Sequence, residues 1–202
     1  KCQGAAARTW LAEREADLFL VHAIERGQED VDTSALDRMM HGVLPADAGE
    51  VAFAYPRDRA PEAIAGYAAE VGAALVLIGP ARFNAIGDYL LGTATEHVIR
   101  HCACPVLVVK ARPRGPYRRI VVATDFSAPS RHALERAAAL FPEAELLLAH
   151  AYHVPFEGWQ KAAYVKDQVR AAEQGVCDDF MAEVAPAVRE RVTTHMVYGT
   201  PE

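Results

Sequence analysis

The sequence predicts an α/β protein built as two tandem open parallel sheets with helices on both faces. Three observations lead there. Short apolar runs rich in branched residues, LVLI at 75–78, VLVV at 106–109, IVVA at 120–123 and LLLA at 146–149, have the length and composition of strands buried on both faces. Helix-length amphipathic segments separate them, which is the alternation of parallel strands with crossover helices. Residues 17–23 (DLFLVHA) recur as residues 145–151 (ELLLAHA), 128 positions on, and mark an internal repeat.

In chain order, Ala6, Ala7, Trp10 and Leu11 stand at helical spacing, so the chain opens on a helix and residues 18–22 form its first strand. Leu36, Met39 and Met40 indicate a helix, and residues 51–55 a second strand. Pro61 suits the first turn of a helix carrying Ile64, Tyr67, Ala68 and Val71, closed by Gly72. Gly79 ends the strand at 75–78, and a polar loop with a short segment at 83–91 leads to Gly92 and Thr93. From there Thr95, Val98, Ile99 and Cys102 recur at helical spacing until Pro105 launches the next strand. A loop running from the carboxyl end of a parallel strand into a helix N-terminus is where open α/β sheets hold anions, because unpaired N–H groups and the helix dipole point outward there.

Residues 112–118 are basic and rich in proline and glycine, and read as a solvated linker between a first repeat at 1–111 and a second at 119–202. The second repeat opens on a strand at 119–124, with Asp125, Phe126 and Ser127 at its carboxyl end. Ser130 is the expected N-cap of a helix with Leu134, Ala137, Ala138 and Phe141 on one face. After the strand at 145–151 comes a long helix with Val165, Val169, Ala172 and Val176 on its apolar stripe and Phe180 beyond, then a strand at 192–197. The first repeat lacks an opening strand, and the second lacks a glycine loop and a closing strand. Half-sheets with unpartnered central strands bury too little to fold well, so the natural chain is expected to be longer than this one.

The 202 residues are 51% apolar and 24% charged with a net charge of −6, ordinary globular usage that argues against general nucleic-acid binding. No run approaches the roughly 20 apolar residues of a membrane span, and the first residues contain no apolar leader core. A cytoplasmic location is expected. Cys2, Cys102, Cys104 and Cys177 show no metal-ligand spacing. The side chains of Cys102 and Cys104 are expected to point apart, and all four to be reduced, mostly buried thiols. Asp178 and Asp179 read as solvated charge on a helix. His22 and His150 repeat at the end of a buried strand, where histidines are usually satisfied by backbone groups. No Gly-x-Ser-x-Gly elbow, Gly-x-x-x-x-Gly-Lys-Ser/Thr loop or His-Glu-x-x-His sequence is present, so no catalytic chemistry is expected.

The stretch from Gly79 to Val109 resembles the universal stress proteins. Their nucleotide motif is Gly, two residues, Gly, nine residues, Gly, then Ser or Thr, followed by a helix and a strand similar to Cys-Pro-Val-Leu-Val-Val. Gly79, Gly92, Thr93 and the run Cys104, Pro105, Val106, Leu107, Val108, Val109 fit, whereas Arg82 stands where the second glycine belongs. The resemblance covers nearly the whole chain. It implies a Rossmann-like five-stranded sheet in each repeat and an adenine nucleotide, ATP with Mg2+, as ligand. It implies that Asp125 contacts the adenosine, that Ala151 in the second copy and Ala23 in the first lie near the base, and that Gly79, Arg82, Gly92 and Thr93 belong to the loop holding ribose and phosphates.

Neither copy carries the full set. Asp125 also fits a turn cap and Thr93 a helix N-cap. Arg82 either fills the space that the missing glycine would leave or offers its guanidinium to a phosphate. Repeats of the resembled family associate through their last strands, so Val106, Leu107, Val108 and Val109 are expected at a contact between repeats or between two copies of the chain.

Three functional classes follow. The first is a cytoplasmic stress-response protein that binds or senses ATP without catalysis. The second is the same fold without nucleotide, acting as a protein-interaction module. The third is an enzyme on a related adenine-nucleotide sheet, such as an ATP pyrophosphatase, whose Ser-Gly-Gly-x-Asp-Ser loop is not matched by residues 123–127 (ATDFS).

Overall fold

The computed structural model describes residues 17–27, 30–44, 50–79, 93–111, 115–153 and 162–199. The expected helix at the start of the chain and the segment at 83–91 lie outside them. Contacts divide the chain into two units, Lys1–Pro116 and Tyr117–Glu202.

In the first unit β1 (Leu18–Val21) pairs in parallel with β2 (Val51–Ala54), Leu18 opposite Val51. A second parallel pair joins β3 (Val76–Ile78) and β4 (Val106–Val108), Val76 opposite Val106. Three helices connect them: α1 (Thr33–Val43), α2 (Ala60–Glu70) and α3 (Thr93–His101). Asp32 caps α1 by accepting the Ser34 amide at 2.9 Å. Pro61 sits in the first turn of α2, and Gly72 follows that helix at φ 61°, a conformation open to glycine without a Cβ clash. The core residues are mostly small: Ala54, Ala63 and Ala68 with Ile24, Met40, Val98 and Val109. On α3, Val98 is buried whereas its neighbour Ile99 faces outward, so the apolar stripe is narrower than the sequence suggested.

The second unit holds one continuous sheet in the order β5-β6-β7, all parallel: β5 (Arg119–Ala123), β6 (Glu145–Tyr152) and β7 (Val192–Tyr198). Its helices are α4 (Ala128–Leu140), α5 (Ala162–Glu183) and α6 (Pro186–Arg189). Alternation along the strands sends Val122, Leu146 and Leu148 to one face, where they pack on Leu134, Ala138, Phe180 and Val184. Leu134, Leu146, Leu148 and Val184 are at most 1% exposed. The opposite face carries Val121 and Val197, 65% and 52% exposed, around Leu147 and Ala149.

The buried line is Cys177 and Phe180 of α5 with Val184 just past its end, not the stripe through Ala172 and Val176, both of which are exposed. At 100° per residue, 177, 180 and 184 share a face that 176 leaves. Arg191, just before β7, donates to the carbonyls of Ala138, Phe141 and Ala144 at 3.3, 2.6 and 2.9 Å, tying the sheet to the C-terminal end of α4. Tyr117 packs edge-on against Phe141, so the residue read as linker belongs with the second unit. Among the described residues no helix is long and apolar enough to cross a membrane.

Candidate functional site

The carboxyl end of β5 is the most elaborated polar structure in the described chain. The ladder with β6 runs one residue past the strand, the Thr124 amide donating to Ala149 O at 3.0 Å, and then the backbone turns sharply. Phe126 sits at the turn with φ 61°, left-handed for a residue with a Cβ. Such a conformation costs about 1–3 kcal/mol and persists only where the surroundings impose it. Here the Phe126 amide donates to Thr124 Oγ1 at 2.9 Å, and the ring lies 4.3 Å from that of His150 and 5.6 Å from that of Phe180.

The turn presents Asp125. Its Oδ1 accepts the Ser127 amide at 3.0 Å and the Ser130 hydroxyl. Hydrogen bonds from Ser127 and then Ser130 to the charged form hold its carboxyl well below the usual carboxylate range. Asp125 is exposed, and both bonds land on one oxygen. The site therefore offers solvent an acceptor that is ionised at neutral pH.

Ser127, not Ser130, is the N-cap of α4, accepting the Ser130 amide at 3.4 Å. The helix starts at Ala128 because Pro129, with its fixed φ and no N–H, belongs in a first turn. Ser130 is thereby freed to anchor Asp125, a role the sequence reading missed. The spacing Thr124, Asp125, Ser127, Ser130 is itself the signal, since Asp and Ser at these offsets form turns and caps with the backbone two and three residues on.

His150 lies beside this turn. Its Nδ1–H donates to Thr124 O at 2.8 Å, the backbone satisfaction expected of it, and its Nε2 stands 3.4 Å from Glu173 of α5. With Nδ1 protonated, Nε2 accepts in the neutral ring and donates to Glu173 only when the ring is charged. Ala151 follows on β6, paired with Val197 and half-buried. Because Ala123 stands opposite Ala149, Asp125 and Ala151 lie two residues beyond the same rung, at one end of adjacent strands.

The first-copy residues are less assembled. Ala23 is half-buried past the end of β1, Gly79 is half-buried past the end of β3, and Thr93 opens α3. Arg82 and Gly92 lie outside the described residues. On the helical side of the second unit a groove of about 330 Å³ runs over Phe126, Val176 and Phe180, with Asp179 on its rim and Arg131 paired to Glu183. Its neighbour Asp178 accepts from Gln174 at 2.9 Å.

Cys102 and Cys104 are free, half-buried thiols just past the end of α3, where residues 103 and 104 bend.

Compared with known proteins, the sequence matches the family profile described as universal stress protein family twice, over residues 4–110 and 116–202. Two Staphylococcus epidermidis proteins, whose names place them provisionally among the universal stress proteins, are each 32% identical over 85 residues. The match spans 42% of this chain and 45% of theirs, under half the length of these relatives. A crystal structure of a functionally unknown Pseudomonas aeruginosa protein aligns with 96% of this chain and 68% of its own, at a TM-score of 0.61 and 19% identity. A universal stress protein from Archaeoglobus fulgidus aligns with 98% of this chain and 72% of its own, at a TM-score of 0.55 and 20% identity.

Proposed function

This chain belongs to the universal stress protein family, and from that premise we propose that it is a cytoplasmic, non-catalytic stress-response protein that recognises adenine nucleotide through its adenosine end. The observation that carries this reading is the Asp125 carboxylate, kept ionised by Ser127 and Ser130 at the carboxyl end of β5. Such an acceptor suits the hydroxyls of a ribose or the amino group of an adenine. The methyl side chain of Ala151 leaves room beside it. A fixed negative charge opposes phosphates, which require N–H groups or cations. The first repeat carries its own share of the family motif, Ala23 near a base and the loop bounded by Gly79 and Thr93 for phosphates and any Mg2+, and is read by itself.

In titration calorimetry, adenosine and ATP are expected to bind the second repeat with similar affinity, since they share the adenosine end that Asp125 recognises in this reading. Asp125→Ala should weaken both by about 1.5–3 kcal/mol, the worth of hydrogen bonds to a charged group. Unchanged adenosine affinity in Asp125→Ala would reject the assignment.

The second reading, an interaction module without nucleotide, draws on the apolar sheet face around Val121 and Val197. It includes association through Val106, Leu107, Val108 and Val109, as expected of a last strand. Val108→Lys should then change the sedimentation behaviour of the chain, and an unaltered profile would remove that contact from the proposal.

A further inference from the structure

The last turns of α3 carry a donor set unlike the carboxylate turn that follows β5. His97 and His101 stand four residues apart, a rotation of about 40° around a helix, so both leave it on one side. Their rings are stacked, with centroids 3.9 Å apart and planes 16° from parallel. The His101 Nδ1–H donates to the His97 carbonyl at 2.8 Å. That bond sets the tautomer: in the neutral ring the proton stays on Nδ1, and Nε2 carries the lone pair. A ring N–H given to a backbone carbonyl, with the other nitrogen open, is the arrangement in which histidine ligates a metal. His101 is exposed and His97 half-buried, while Val98 between them, 1% exposed, holds the helix in the core.

We propose that His97 and His101 chelate one divalent first-row transition metal ion, each through one ring nitrogen, Nε2 in the case of His101. Two nitrogens bound at about 2.0–2.1 Å from a metal stand at most about 4.2 Å apart, and rings with centroids 3.9 Å apart fall within that bite. Imidazole suits Ni2+, Cu2+ and Zn2+, whereas Mg2+ takes oxygen ligands, so this ion differs in class from any that accompanies a triphosphate. Among the described residues no group of three or more His, Cys, Asp or Glu side chains is placed to hold a metal. The two imidazoles are therefore the protein's whole share, and water completes the coordination. Two ligands leave the ion exchangeable, with Cu2+ held more tightly than Ni2+ or Zn2+. The chelate ties residue 97 to residue 101 across the final turn of α3, beside the Cys102 amide that donates to Val98 O at 2.9 Å. An ion bound only by the folded helix stabilises the first unit by mass action.

Ni2+ is the probe, because Cu2+ oxidises free thiols and Cys102, Cys104 and Cys177 are free. The whole chain is titrated with nickel chloride in a calorimeter. His97→Ala and His101→Ala should each weaken one site by about tenfold or more, the advantage of closing the second contact within one molecule. His132→Ala, on α4, should change nothing. A chain carrying His97→Ala together with Glu96→His keeps all eight histidines but sets this pair five residues apart, about 140° around the helix. It should bind as weakly as His97→Ala alone. The rise of melting temperature with Ni2+ should be confined to chains with both histidines at their native positions. Nickel affinity that survives in His101→Ala or in the respaced chain would overturn the chelate, and so would a wild-type chain that takes up no Ni2+. Loss of binding in Cys102→Ser would overturn it as well, by placing a thiolate among the ligands.

Discussion

His22-Ala23 and His150-Ala151 are the same two residues at equivalent places in the repeat, yet their surroundings differ. His150 is half-buried, with Thr124 O on one nitrogen and Glu173 near the other. His22 is exposed, and its strand continues to a single bridge between Ile24 and Arg57. The reason lies in the neighbouring strands. β6 has β5 on one side and β7 on the other, whereas β1 pairs with β2 alone among the described strands. Thr124, Asp125 and the Ser127 cap all arrive on β5. Among the described residues, the polar surroundings of the repeated His-Ala pair are thus set by the strand next to it.

The cores carry the same contrast, and the largest expected effect tests it. In the second unit Leu148 is 1% exposed and shares one core cluster with Leu134 and Ala138 of α4 and Phe180 of α5. Leu148→Ala should destabilise this unit by about 2–5 kcal/mol, the cost of removing a buried leucine and leaving a cavity. In the first unit Ala68→Gly deletes one methyl and adds helix flexibility, for about 1 kcal/mol. Urea denaturation of each variant measures the difference, and comparable losses would show that the units are equally well packed.

The reading proposed for the first copy turns on its own loop, where Arg82 stands in place of a motif glycine, so Arg82→Gly tests that copy by itself. Restoring the motif glycine should raise ATP affinity above that of adenosine, by about the 1.5–3 kcal/mol that charged hydrogen bonds to phosphate supply. Calorimetry with both ligands reads it. A loss of ATP affinity would instead give the Arg82 guanidinium the contact with phosphate.

A smaller effect is expected at the turn. Ser127→Ala removes the α4 N-cap, for about 0.5–2 kcal/mol, and leaves in place the first bond to Asp125, which the backbone amide donates. Ser130→Ala leaves the cap in place and removes only the second. If the two variants are equally stable in thermal melts, the cap is not what fixes the turn.

Much of the architecture was legible because its signals are strong and local. The runs at β3, β4, β5 and β6 are short, branched and apolar, and Pro61 and Gly72 punctuate α2 at both ends. What was misread depends on neighbours. Ser130 resembles an N-cap in isolation, and only Pro129 placed in the first turn moves the cap to Ser127. The α5 stripe through Val176 is apolar enough, but Phe180, and Val184 just past the helix, join the sheet's core cluster instead. Asp125 was singled out as a candidate through family resemblance, whereas its bonds from Ser127 and Ser130 and the approach of Glu173 to His150 required the fold.

The smallest effects are in pH, and they separate the units by sign. In the first unit the Tyr55 hydroxyl donates to Asp37, and burial first, then that hydrogen bond and the charge of Asp37, push it up from 10.0 to about 12. A group whose folded pKa is raised contributes stability in full below its unfolded value and loses it as pH rises toward the folded one. The first unit should weaken between pH 10.0 and about 12, and Tyr55→Phe should flatten that slope. In the second unit Asp125 is depressed by Ser127 and Ser130, so its contribution is in full force above the ordinary carboxylate value of 3.8 and lost as pH falls below it. Asp125→Asn should flatten the acid limb and leave the alkaline one unchanged. Denaturant midpoints across both limbs, with tyrosinate absorbance followed in parallel, measure the pair. An acid limb that Asp125→Asn does not alter would mean that the serine bonds survive in the unfolded chain, and the turn would then be a local structure that owes nothing to the sheet.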